Sequence, residues 1–436
     1  MHAPYTGVRF MMRPNGRAFK DERVTIMAFG LTKKELSWVL YDVGNSAFVM
    51  LSTALIPVYF ASIADPGSSV VVAWGYAETV ASLVLALLMP VLGSLADLAG
   101  NKKKFLVGFA GTGAVACAAL GVPEHALAFL VVYVIAAIML NGSMVFYDAF
   151  LVDATTEERY DKVSSHGYAW GYIGSCIPFI ACLAVVLGGS SFGIDAKLGM
   201  KIAFIITAVW WVIFTVPVAK NVKQLHGKKR SDHVLRTTIS GLKGTVKSIM
   251  KDKRLLFFML AFFFYIDGVH TVIKMSTSYG TDLGIDSTQL VLALLVTQFV
   301  AFPSAIAYGN LAKRFGTKRM LKVGVLAYFF IVLFAALFLK SAVEFWILAI
   351  CVGLFQGGIQ ALSRSEYGKL IPKERANEYY GFFDIFGKYA AVMGTFLVSA
   401  FTQLTGSSSL GVLSIALLFI VGYLFLRAMP PMLGDS

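Results

Sequence analysis

The sequence predicts an all-α integral membrane protein, with twelve transmembrane helices in two pseudo-repeated six-helix bundles. Three observations predict it: an apolar composition that no soluble core absorbs, twelve hydrophobic segments split six and six by a basic stretch, and a constant 216-residue spacing between matching motifs. Of 436 residues, 57% are apolar and 14% charged, against about 45–50% and about 25% in soluble domains. Mean hydropathy is +0.72. Lipid is therefore the solvent, and a water-soluble enzyme is excluded.

The first six segments run near residues 37–62, 70–95, 104–122, 126–150, 165–188 and 199–219, and the second six near 255–279, 288–311, 319–339, 344–366, 377–403 and 408–427. At 1.5 Å per residue these lengths cross a hydrocarbon core of about 30 Å as helices, which satisfy their own backbone groups. Barrel-type alternation is absent. The expected organisation is a tail over 1–36, a bundle over 37–219, a basic linker over 220–254, a second bundle over 255–427 and a short tail over 428–436.

The charges decide orientation. The N-terminal tail holds seven Lys/Arg, and the loops after the second, fourth, sixth, eighth and tenth segments hold three, two, eleven, five and four. The opposite loops hold only Lys197, Lys201 and Lys340. The positive-inside rule then places both termini and the linker in the cytoplasm, so the net charge of +13 is a topology signal and no nucleic-acid partner is expected. The linker reads as a solvated connection, with contact to anionic headgroups as the alternative. The first 35 residues lack the apolar stretch of a secretory signal. The four cysteines lie inside apolar runs and indicate neither disulfide nor metal; no cofactor is expected.

Gly93-Ser94-Leu95-Ala96-Asp97-Leu98-Ala99-Gly100-Asn101-Lys102 leaves the second segment, and Gly309-Asn310-Leu311-Ala312-Lys313-Arg314-Phe315-Gly316-Thr317-Lys318 leaves the eighth, 216 residues later. Glu158-Arg159 and Glu374-Arg375 keep the same spacing. Duplicated six-helix halves describe a transporter with a cavity between them near the midplane. In the motif, glycines permit a tight turn and close helix approach, Lys102 and Arg314 anchor the basic edge, and Asp97 faces a helix N-terminus or an arginine.

This loop resembles the signature loop of the major facilitator superfamily, where it latches the halves in one state. The second copy carries Lys313 in place of the acid, so the latch is expected to rest on Asp97. Trp38-Val39-Leu40-Tyr41-Asp42-Val43-Gly44-Asn45-Ser46-Ala47-Phe48 is similar to the opening of the vacuole-effluxer family. The stretches Val163 to Tyr172, Phe264 to Val269 and Gly357 to Ser365 are similar to other blocks of that family. The resemblance implies a major facilitator fold and amino-acid efflux, with Arg364 belonging to a family block.

Ionisable groups at membrane depth are costly and face a cavity or each other, so they are the site candidates. Asp267, His270 and Lys274 share one helix face at i, i+3 and i+7, with Asp267 about 18 Å inside its span. An acid beside an imidazole can exchange protons or receive an ammonium; an internal pair, with Lys274 snorkelling outward, is the structural alternative. Asp42 and Asn45 share a face of the first span, where Asp42 either meets solute or pairs with a nearby base. Asp384 and Lys388 stand at i, i+4 and can neutralise each other. Glu78 reads as a buried, protonated acid. Asp148 and Asp153, near the basic end, read as gate or topology residues. Arg364 is expected to lock to Glu366 or Asp153 when that end closes, or to contact headgroups.

The expected protein is a monomeric secondary transporter of a small polar solute, most simply amino acids moving outward by alternating access, with protons as a candidate coupling ion. A bacterial inner membrane is favoured over a vacuolar one. The alternatives are a proton-coupled carrier of another solute or amphiphile, and a non-transporting receptor of the same fold. No Walker loop, HExxH, zinc-spaced cluster or GxSxG is present, so no enzyme is expected.

Overall fold

The computed structural model describes residues 28–64, 70–228, 234–282 and 284–430. Each hydrophobic segment forms a helix, and the twelve are numbered here in chain order. The first half holds α1 (Lys33–Ala54, continued by Ile56–Ile63), α2 (Val70–Ala96), α3 (Lys102–Ala119), α4 (Ala126–Ala149), α5 (Tyr160–Gly188) and α6 (Ala196–Asn221). The second holds α7 (Lys253–Asp282), α8 (Ser287–Phe315), α9 (Thr317–Phe338), α10 (Ala342–Leu370), α11 (Ala376–Thr405) and α12 (Ala416–Ala428, preceded by Ser408–Ser414).

Among the described residues nine of these are long and apolar enough to span by composition alone, and the two segments of α1, bent by 45°, make a tenth. The bend falls just before Pro57, whose ring cannot continue the ladder. α3 holds Lys102, Lys103 and Lys104 within its 18 residues, and α11 carries Glu378 and Asp384 in its first turns ahead of an apolar stretch long enough to cross. Apolar side chains such as Leu87, Val115 and Leu187 are more than two-thirds exposed on the outside, as lipid contact requires.

The start of α1 is tied down by a capping box. Glu35 N–H donates to Thr32 Oγ1 at 3.2 Å and Thr32 N–H to Glu35 Oε2 at 2.7 Å. Glu35 also receives Arg159 at 2.6 Å from the start of α5. Within each half the helices pack as a bundle, α1 on α5 and α6, and α7 on α11 and α12.

Between the halves, α2 lies against α11 and α5 against α8, a pair of contacts that the 216-residue spacing interchanges. At both crossings a glycine sets the distance. A Cβ on Gly93 would stand 2.6 Å from the Asn377 carbonyl oxygen, and one on Gly309 would stand 2.6 Å from Ser165 Oγ and 3.1 Å from the Asp161 carbonyl oxygen. Asp161 and Asn377 are themselves 216 residues apart. Just beyond, Gly100 at φ +83 and Gly316 at φ +88 make the turns that other residues resist.

The linker is more than a solvated connection. Lys228 pairs its backbone with the loop after α2, donating N–H to Asp97 O at 2.7 Å and accepting from Ala99 N–H at 3.1 Å. Its ammonium reaches Glu378 of α11 at 2.6 Å. From the linker helix Val234–Lys251, the buried Thr245 hydroxyl also bonds Glu378. A basic sequence reads as solvated when its contacts are distant in the chain, and these are.

Replacing Gly93 by leucine overpacks the α2/α11 crossing at a cost of about 1–3 kcal/mol, enough to lower the closed population about fivefold or more. Cysteines placed at Glu157 and Lys373, whose side chains pair across the junction at 3.3 Å, are expected to cross-link correspondingly more slowly in Gly93→Leu, with the four native cysteines changed to serine.

Candidate functional site

Among the described residues the ion pairs between the two halves lie towards one end, the end of the basic loops, and Arg364 of α10 is their centre, with a longer bond from Gln360 Nε2 to the Tyr172 hydroxyl at 3.4 Å a turn further in. Its guanidinium is buried, with 1% of the side chain exposed. Nη1 donates to Asp148 Oδ1 of α4 at 2.9 Å and to Asp42 Oδ2 of α1 at 3.4 Å. Nε donates to Ser164 Oγ and Nη2 to Ser164 O of α5, both at 2.9 Å. The Ser164 hydroxyl in turn donates to Ala361 O of α10 at 2.7 Å. Three rings of the first half surround the cation, Tyr168 at 4.4 Å, Trp38 at 4.7 Å and Tyr147 at 5.3 Å from their centroids, an arrangement in which the ring faces attract it. The Tyr147 hydroxyl donates to Asp42 at 2.8 Å, and Trp38 Nε1 donates to Tyr147 O at 2.9 Å.

The expected partners of Arg364 are therefore corrected. Glu366 instead faces Arg254 at 3.6 Å and Lys369 at 3.8 Å, and Asp153 is held by Lys102 at 2.7 Å and by the backbone N–H groups of Leu225 and His226. Lys102, expected at the membrane edge, is wholly buried, while Arg314 lies exposed over the Phe315 ring. Asp148 and Arg364 are 216 residues apart, so the repeat places them in equivalent positions, one acidic and one basic.

Two further ties flank this cluster. Asp97 caps the N-terminus of α11, its Oδ1 accepting from Asn377 N–H at 2.9 Å and Asn377 Nδ2 at 2.8 Å, its Oδ2 from Glu378 N–H at 3.0 Å. At the related crossing the acid changes sides. Asp161 of α5 accepts from Lys369 Nζ at 2.8 Å, Thr317 Oγ1 at 2.7 Å and Ser365 Oγ at 2.5 Å, while Lys313, in the place of Asp97, is exposed.

The remaining candidates do not converge. Asn45 is buried and donates to Tyr41 O at 3.0 Å, an internal bond of α1. Glu78 is exposed rather than buried and accepts from the Tyr133 hydroxyl. Asp384 is half-buried and acts electrostatically on Asp148; the side chain of Lys388 lies outside the described residues. Asp267 faces α11 inside the second bundle, His270 is half-buried and Lys274 exposed, so the face they share does not form one polar surface. Ser164, Tyr168 and Asp161 are junction residues that composition alone does not single out.

Two repeated six-helix bundles joined at one end by breakable polar contacts define a multi-pass membrane transporter of the major facilitator type. The chain belongs to the vacuole effluxer Atg22-like family, whose model matches residues 68–431. It is 45% identical over 408 residues to an uncharacterized MFS-type transporter, YxiO of Bacillus subtilis, covering 92% of this chain and 95% of that one. It is 27% identical over 283 residues to autophagy-related protein 22 of Cryptococcus neoformans, covering 60% of this chain and 48% of the fungal one, so it spans about half the length of that relative. The fold is shared with the transporter FucP in the outward conformation (TM-score 0.69, 13% identity, 92% of this chain and 99% of that one) and with a bacterial homologue of ferroportin in an outward-facing state (TM-score 0.67, 13% identity, 91% and 98%).

Burial pushes the Asp97 carboxyl up to about 6, against the Lys102 charge and the Asn377 donors that draw it down. The closed end thus holds a proton more tightly than an opened loop, where the carboxyl returns towards 3.8. Through Asp97 closure gains from acid, fully below about 3.8 and no longer once pH has risen through about 6, while Glu378, held in spite of burial below its ordinary value by Lys228, Thr245 and Arg375, acts in the opposite sense. With a fluorophore and quencher at Glu157 and Lys373, Asp97→Asn is expected to remove a component of closure that is greater at about pH 4 than at about pH 7.

Proposed function

We propose that the protein exports small zwitterions, amino acids in the first place, by alternating access, with the basic end in the cytoplasm and the structure representing the state shut on that side. The observation that carries this reading is Arg364, buried in one half and paired with carboxylates of the other. A charge withdrawn into the membrane must be paired, and a pair formed across the junction is broken when the halves rock apart.

Opening the basic end separates a guanidinium on α10 from Asp42 and Asp148 on α1 and α4. An amino acid supplies both missing partners. Its carboxylate matches the planar fork of Arg364, and its ammonium replaces the cation that Asp148 or Asp42 has lost. Two acids against one base leave the first half a carboxylate in surplus for that ammonium. Trp38, Tyr147 and Tyr168 supply an aromatic wall for an apolar side chain. Re-closure around the solute restores the charge balance that the empty cluster provides for itself, so the solute lowers the barrier between states by substituting for an existing interaction.

The test is counterflow of radiolabelled amino acids in proteoliposomes. Exchange well above empty liposomes is expected, with free amino acids competing and their N-acetyl or ester derivatives, which lack one charge, failing to compete. Arg364→Lys keeps the charge and loses the fork, and is expected to reduce exchange about tenfold or more. No exchange for any amino acid, or competition by the N-acetyl derivatives equal to that of the parent compounds, contradicts the reading.

A further inference from the structure

Asp267 takes no part in the junction cluster, yet it is a wholly buried acid in the middle of α7. Its Oδ1 accepts from the Gly394 backbone N–H of α11 at 2.9 Å and from the Thr271 hydroxyl at 3.2 Å. Its Oδ2 is buried with no hydrogen-bond partner. A Cβ on Gly394 would stand 2.6 Å from Oδ1 and 2.2 Å from Thr271 Oγ1, so the glycine is what lets α11 come close enough to offer its backbone donor.

The groups around it are few. On its own helix stand half-buried His270 and exposed Lys274, the cation that acts on it electrostatically. α11 contributes Asp384 towards the basic end and also carries Lys388, whose side chain lies outside the described residues, α10 contributes Glu366 further in the same direction, and α9 contributes Tyr328, stacked on Phe419 of α12. Among the described residues no ion pair of 4.0 Å or less is recorded for the Asp267 carboxylate. An ionised carboxylate here carries a desolvated charge with one oxygen unmet, whereas the neutral acid needs no counter-ion. A bound metal cation needs several oxygens at once, and among the described residues Thr271 Oγ1 is the side-chain oxygen that meets this carboxylate.

A crevice approaches it from the end opposite the basic loops and stops short of the carboxylate. A crevice of about 340 Å³ lies between α7, α11 and the lead into α12, lined by Met275, Tyr279, Val398, Ser399, Thr402 and Gln403 among others. Met275 is two turns beyond Asp267 and Val398 one turn beyond Gly394, so the crevice floor begins about 6–12 Å from the carboxylate along the helices. Ser399 and Gln403 are exposed, which puts hydroxyl and amide groups at the mouth, and the Thr271 hydroxyl lies between floor and acid. The crevice involves the second bundle alone, away from the junction where the solute is placed.

We propose that Asp267 is a proton-binding site inside the second bundle, supplied from the non-basic side through the α7/α11 crevice. This deepens the transport reading by naming what drives the solute, and it rests on that reading for its use. A proton entering from outside loads Asp267, removes the buried charge, and loosens α7 from the Gly394 donor that the charged form holds. Loading thereby biases how the second bundle packs without touching the solute.

Two measurements on the full chain in lipid test it. In infrared titration of the reconstituted protein, a protonated carboxyl band that grows on acidification and is missing from Asp267→Asn is expected. A spectrum whose carboxyl bands are identical in the two proteins overturns the proposal, as does a band that responds to sodium and not to pH. In transport, Asp267→Asn is expected to keep amino-acid counterflow and lose accumulation driven by a pH gradient. Loss of neither contradicts the site's role. Thr402→Cys, in the cysteine-free background and modified by a membrane-impermeant thiol reagent, is expected to impair the gradient-driven mode alone; unaltered accumulation after complete modification contradicts the route. Absence of counterflow in the unmodified protein defeats the transport reading instead, and leaves the infrared result to decide the proton site.

Discussion

A guanidinium removed from water costs several kcal/mol unless charged and hydrogen-bonding partners replace the solvent. Arg364 meets that requirement entirely with groups on helices of the opposite half: two carboxylates, a serine hydroxyl, a serine carbonyl and three ring faces. The second bundle therefore cannot keep this residue buried by itself. Its burial is a property of the junction, and the junction holds only while the halves are together. The tie is strong when made and leaves both sides unsatisfied when broken, which is the character required of a contact that a solute is to replace. The Asp97 cap on α11 and the Asp161 cluster on α5 act beside it, and both depend on the close approach that Gly93 and Gly309 allow.

The internal repeat organises these contacts without making them identical. Helix crossings and glycines follow the 216-residue relation, as do the positions of Asp148 and Arg364, but the chemistry is exchanged. One half supplies the acid and the other the base where the repeat places equivalent residues together, and the acid sits on the loop at one crossing and on the facing helix at the other. Identical copies would have set like charges against each other near the pseudo-twofold axis, a repulsive arrangement in low dielectric. Divergence of the two halves at these few positions turns a symmetric contact into an attractive one.

Much of the architecture was legible in the sequence because it is written in local quantities. Span length, the placement of cations and the motif spacing locate each helix to within a few residues, and α3 is recognised although its three lysines hide it from a simple hydropathy threshold. The pairing at the junction was less legible, since it depends on how two bundles meet. Glu366 and Asp153 are near Arg364 in sequence or in expected depth, yet each is consumed by other cations. The 216-residue spacing pointed to Asp148 all along, because a residue near a pseudo-twofold axis meets its own counterpart. Of the three consecutive lysines that begin α3, which at about 100° per residue cannot all face one way, Lys102 turns inward at the basic edge to Asp153. Gly394, which positions Asp267, leaves no trace in hydropathy or charge.

The central claim is that the halves separate at the basic end as they close at the other. Electron-spin distances measured in lipid between labels at Lys104 and Arg319, near the basic end, and between labels at Val122 and Leu337, near the opposite end, test it directly. The account predicts two populations in each pair, with the long distance at one end accompanying the short distance at the other, and a shift between them when an amino acid is added. A single unchanging distance for both pairs, or lengthening of both together, would contradict it.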